Sequence, residues 1–126
     1  MKRVFSFSLI ALTALALAAE TVSPSDIIKS PEKFDKKVIT VSGVVKSFKA
    51  KKSKAGNEYF TFDLTSGKDK ISIYSHGKLE KDLKDGDKVE VKGKFVKEKT
   101  VFKAVYKNEL DCSGKKGEKP NLKTLS

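Results

Sequence analysis

Between Lys37 and Lys107 the chain alternates apolar and polar positions in five stretches, about residues 37–49, 58–64, 70–75, 88–96 and 101–107, separated by clusters of Gly, Asp and Lys. Period-two alternation of β-branched and aromatic residues predicts strands, and it assigns their faces. Phe60, Phe62 and Leu64 share one side of the second stretch, with Tyr59, Thr61 and Asp63 on the other. Ile71 and Ile73 oppose Ser72 and Tyr74 in the third, and Val89, Val91 and Phe95 form a matching row in the fourth. The apolar rows are expected to face a common core. The first stretch, Val38-Ile39-Thr40-Val41-Ser42-Gly43-Val44-Val45, is apolar on both sides around Gly43. A sharply coiled strand that pairs at both of its ends explains such a pattern.

Other segments break the alternation. From Ser23 to Lys37, Ser23 or Ser25 can cap a turn of helix and Pro31 stops it from running on, which predicts a short helical lead-in packed through Ile27, Ile28 and Phe34. Leu79 and Leu83 at i, i+4 predict one or two helical turns between Gly77 and Asp85, and Asp85-Gly86-Asp87 then turns the chain. Residues 113–126 are Lys, Gly and Pro with little to bury, so a disordered basic tail is expected. At the other end, Met1-Lys2-Arg3 precedes an apolar run from Val4 to Ala19 interrupted only by Ser6, Ser8 and Thr13. This reads as a cleaved signal peptide over residues 1–19, and it implies a periplasmic or secreted protein with no membrane span after cleavage.

Length and composition narrow the classes. The chain has 126 residues and a net charge of +11, enough for one modest domain. The single Cys112 cannot make an internal disulfide, and with the single His76 it cannot supply a structural zinc site. Arg3 is the only arginine and falls in the leader, so the exported chain carries only lysines as strong cations and has no forked donor for base readout. No nucleophile stands at motif spacing from a His, and no Gly-rich phosphate loop is present. The chain is expected not to be an enzyme, with no catalytic residue, no metal and no cofactor, and to be a monomer. Cys112 is expected to finish the last strand half-buried.

The expected fold is all-β. It is a five-stranded OB-fold barrel over residues 37–112, preceded by the helical lead-in at 20–36, with a short helix between strands three and four. The residues Ile39-Thr-Val-Ser-Gly-Val-Val45, the loop Lys49–Gly56, Tyr59-Phe-Thr-Phe62, Ile71-Ser-Ile73 and Leu83-Lys-Asp-Gly-Asp-Lys-Val-Glu-Val-Lys-Gly93 resemble the anticodon-binding type of OB-fold nucleic-acid-binding domain. The resemblance implies an interface on strands two and three and the loops after strands one and four. Its candidate residues are Tyr59, Thr61, Ser72, Tyr74 and His76 on the outward faces, with Lys46, Lys49, Lys51, Lys52, Lys54, Lys97 and Lys99 around the loops. Tyrosines would stack bases and lysines would meet phosphates, so the expected partner is single-stranded nucleic acid or another polyanion bound with low sequence specificity.

A second resemblance gives the alternative. The run from Ile71 through Leu83-Lys-Asp-Gly86 to Thr100-Val-Phe-Lys-Ala104 is similar to the periplasmic haem chaperone of cytochrome c maturation, also an OB barrel. In that family a His, or in some members a Cys, follows the last strand and attaches haem, with a Tyr a few residues later. Cys112 falls near that place, but no His or Tyr follows it. The resemblance implies a periplasmic structural or small-ligand-binding protein, with a protein partner as a further option; because the attachment pattern is incomplete, haem binding, and with it a covalent adduct at Cys112, is expected to be absent.

Overall fold

The structure is a computed structural model and describes residues 21–125; the expected leader, residues 1–19, lies outside them. The described residues are mostly β, with seven strands in one sheet rather than five. In chain order they are β1 (Thr21–Val22), β2 (Lys37–Lys52), β3 (Glu58–Ser66), β4 (Asp69–His76), β5 (Lys88–Val101), β6 (Ala104–Asp111) and β7 (Leu122–Thr124). Two short helices, α1 (Pro24–Lys29) and α2 (Pro31–Phe34), lie between β1 and β2.

The lead-in follows its local chemistry. Ser23 caps α1 through a capping box: its Oγ accepts from the Asp26 amide at 3.2 Å, and its own amide donates to Asp26 Oδ2 at 3.0 Å. Pro31 has no N–H to continue the ladder, so the helix stops at Ser30 and a new turn starts. Ser25 takes a different role. Its amide donates to Ser66 Oγ at 2.9 Å and its hydroxyl donates to the Ser66 carbonyl at 3.1 Å, which ties α1 to the end of β3.

β2 bends as its two-sided apolar pattern requires. Its first half pairs with β5 from Lys37↔Phe95 to Val44↔Lys88, and its second half pairs with β3 from Val44↔Thr65 to Lys52↔Glu58. With β3–β4, the parallel β4–β6 pairing and β5–β6, this closes a ring of five hydrogen-bonded strands in the order β2-β3-β4-β6-β5. Close approach sets the glycine at 93: a Cβ there would stand 2.0 Å from the Asp111 carbonyl oxygen, inside the β5–β6 ladder. The inward rows are buried as alternation demands, and Phe60, Phe62, Leu64, Ile71, Ile73, Val89, Val91 and Phe95 form one core with Ile27, Val41, Val45, Leu83, Leu110 and Cys112.

Four expectations are corrected here. Residues 77–87 contain no helix. Leu83 is buried and Leu79 packs on the core, but from an irregular loop that starts at Gly77 with φ +89°. Two turns of helix are too short to repay their nucleation when the loop backbone has other partners: Asp87 Oδ2 accepts from the Lys84 amide at 2.9 Å, and Asp85 Oδ1 from the Ser47 amide at 2.9 Å. The tail is also ordered in part, because Leu122–Thr124 pairs antiparallel with Val89–Val91. Lys97 and Lys99 belong to a strand rather than a loop, since β5 runs on to Val101 and turns through Phe102-Lys103 alone. Cys112 is wholly buried rather than half-buried.

Candidate ligand-binding site

The outward side chains of β3 and β4 build a shared wall because the register sets Tyr59 opposite His76 and Thr61 opposite Tyr74. The Tyr59 and Tyr74 rings lie 5.8 Å apart, tilted by 37°, and the His76 ring continues the row 6.3 Å beyond Tyr74. These are ordinary aromatic pair distances, so the three rings form a continuous π surface.

A second wall comes from the β5–β6 hairpin. Lys99 stands opposite Tyr106 in the ladder, and its ammonium lies 5.7 Å from the Tyr74 ring centre and 5.9 Å from that of Tyr106. The same ammonium is ion-paired with the buried carboxylate of Glu109. The Lys99 ammonium contacts Glu109 Oε1 directly and so compensates the burial of that carboxylate. Between the two walls runs a groove of about 1260 Å³ whose rim includes Lys51, Ser53 and Asn57 on one side and Val101, Phe102 and Lys103 on the other. A smaller hollow of about 500 Å³ lies across Glu109, over Lys92, Lys94 and Asp111, and has no aromatic ring in its lining.

The groove gathers six of the twelve candidate residues, namely Lys51, Tyr59, Thr61, Tyr74, His76 and Lys99. Ser72, Lys46, Lys49, Lys52, Lys54 and Lys97 are not in its lining. Ser72 sits further along β4, between Asp63 and Glu109. Lys97 is committed to the lead-in, with Nζ 3.5 Å from Glu32 and its amide donating to Asp35 Oδ1 at 2.8 Å. Tyr106, Phe102 and Glu109 escaped the sequence reading. Tyr106 was detectable as the third tyrosine of the chain, but its side of the groove depends on where the hairpin turns.

Electrostatics set the protonation of the wall. Burial first, and the Asp111 carboxylate second, hold the Tyr74 phenol above its usual range, so it is a neutral donor at physiological pH. Burial first, then Asp111, push the Cys112 thiol up to about 12, and a hydrogen bond with Ser75 opposes this weakly. A neutral thiol enclosed in the core is neither a nucleophile nor a ligand for a molecule in the groove. Among the described residues no cluster of three or more His, Cys, Asp or Glu could hold a metal ion, and no helix is long and apolar enough to cross a membrane.

A family model described as the CcmE domain matches residues 18–106, from before β1 through both walls of the groove to Tyr106. The match ends before Cys112. That family binds haem and acts with protein partners in cytochrome c maturation, and this overturns single-stranded nucleic acid as the partner. The tyrosines and lysines that suggested it are equally suited to other flat, anionic ligands, which is why residue types alone misassigned it. No curated protein matches the chain, and no solved structure does. With well over half of its length matched, the chain belongs to the CcmE-domain family.

Proposed function

We propose that this chain is an exported haem-chaperone-like carrier of OB-barrel type, facing the periplasm, and that it holds haem reversibly in the groove between β3–β4 and the β5–β6 hairpin. The observation that carries the reading is the groove itself, which apart from Glu109 lies within the matched span and combines tyrosine faces with lysines at its rim. Haem is a flat apolar macrocycle with two anionic propionates, so it needs aromatic area and mobile cations at one edge. Tyr59, Tyr74 and Tyr106 supply the area, and Lys51 and Lys103 supply the charge. His76 is the one imidazole of the chain and lies in the same groove, where it is available to iron as an axial ligand.

Covalent attachment does not fit the residues present. Cys112 is wholly buried with its thiol protonated, and residues 113–126 contain neither His nor Tyr. Haem is therefore cargo that enters and leaves without a covalent link between its macrocycle and the chain. Haemin titration should give a saturable Soret band with the purified protein, and Tyr74→Ala should weaken binding by about five- to fiftyfold through lost ring contact. Acidic organic solvent should extract all of the haem. Absence of a saturable Soret band overturns the reading, and a band that stays with the denatured polypeptide overturns its reversible form.

A further inference from the structure

The last pairing of β5 with β2 is Lys37↔Phe95, and β6 reaches β4 no earlier than Ser72↔Glu109. Beyond those points Glu98–Val101 and Ala104–Lys107 pair only with each other, so the hairpin leaves the ring as a free two-stranded arm. Such an arm is marginal by itself in water and favours polar side chains on both faces. This one instead exposes Val101, Val105 and Tyr106, and it carries Phe102 at its tip with 98% of its surface in solvent.

The tip residue also conflicts with its backbone. Val101 pairs with Ala104, so Phe102 and Lys103 form a two-residue link, and Phe102 takes φ +56°. Links of this kind favour Gly or Asn, because a β-carbon is crowded at positive φ. A phenylalanine here adds strain and contributes almost no burial to the folded chain, so nothing within the fold accounts for it. Its surroundings are cationic: Lys99, Lys103 and Lys107 stand against the single Glu98 in the arm, and while Lys99 is paired with Glu109, Lys103 and Lys107 make no ion pair among the described residues. Across the groove, Lys51 at the end of β2 adds a further cation to the rim.

We infer that the β5–β6 arm is a membrane-contacting finger, which inserts Phe102 among the acyl chains of an anionic lipid surface while the surrounding lysines meet the headgroups. An apolar tip beside unpaired cations matches that surface in both polarity and charge, whereas a protein pocket for Phe102 would not require the unpaired Lys103 and Lys107 next to it. The arm also forms one wall of the groove proposed for haem, but Phe102 has no part in that reading and the vesicle assay contains no haem, so the two readings fail separately.

The chain has no tryptophan, so Phe102→Trp places a sole indole reporter at the tip. Its emission should shift to the blue and be quenched by brominated acyl chains on vesicles of phosphatidylcholine with about 30 mol% phosphatidylglycerol, and partitioning should fall about tenfold or more on pure phosphatidylcholine or at high salt. Phe102→Gly relieves the strain and should melt no lower than the parent, yet bind those vesicles about three- to tenfold more weakly. Lys103→Glu should weaken binding to the anionic vesicles alone. Unchanged indole emission on anionic vesicles overturns the inference. Equal binding by Phe102→Gly also overturns it and leaves only a basic surface, and a blue shift that follows protein concentration without lipid assigns the tip to a second copy of the chain instead.

Discussion

Cys112 shows how one residue changes meaning with its surroundings. Its place after the last strand resembles a haem-attachment position, but the folded chain encloses it beside Ser75 and keeps the thiol neutral, with a pKa pushed up to about 12 by burial. A group whose folded pKa lies above its unfolded value near 9 contributes stability that is complete below pH 9 and is lost as pH rises towards 12. Chemical unfolding of the parent should therefore show an additional loss of up to a few kcal/mol across that window, and Cys112→Ala should lack it while costing about 1–2 kcal/mol at neutral pH. Native protein should react with a thiol reagent only as fast as the core opens. Rapid labelling at neutral pH would show the thiol to be accessible and would reopen covalent attachment.

Elements were legible where local chemistry and periodicity agree. Ser23 with Asp26, Pro24 at the start and Pro31 after the end specify α1 without help from the rest of the molecule. Ser23→Ala should lower stability by about 1 kcal/mol, measured as a shift of the denaturation midpoint with unchanged slope, and Ser23→Asp should restore most of it. The rows Phe60-Phe62-Leu64 and Val89-Val91-Phe95 were equally legible, since a one-residue slip would turn every apolar side chain to solvent. The arm was not. Lys97–Lys99 reads as a loop because lysine is a poor strand former and the stretch is charged, yet the partner strand supplies every bond from Glu98↔Lys107 to Val101↔Ala104. In the same way Leu79 and Leu83 carry a helical spacing, and the loop that delivers them to the core satisfies their burial without a helix.

At the scale of the whole molecule, ring closure sets the site. β6 pairs parallel with β4 and antiparallel with β5, and this double pairing brings Glu109, Lys99 and Tyr106 across to Tyr74. The chain after β6 then returns, with the Asn121 amide donating to the Cys112 carbonyl at 2.8 Å, and β7 covers the free edge of β5 with Leu122 against the core. Removing residues 118–126 should cost about 1–3 kcal/mol and lower the melting temperature, because an exposed edge and a lost apolar contact both act against the fold. Equal melting temperatures would mean that the tail adds nothing to the sheet.

The sequence by itself determined the class, the inward rows, the capped lead-in and the bent β2 with its glycine at 43, because each rests on alternation or on contacts within a few residues. It also placed Tyr59, Tyr74 and His76 on one outward face, since strand parity alone does that. Only the tertiary structure decided that Lys99 and Tyr106 oppose them, that Glu109 is buried between the walls, and that Cys112 faces inward. Those positions depend on the turn at Phe102-Lys103 and on the meeting of strands far apart in the chain, and no local period of side chains encodes which strands will meet.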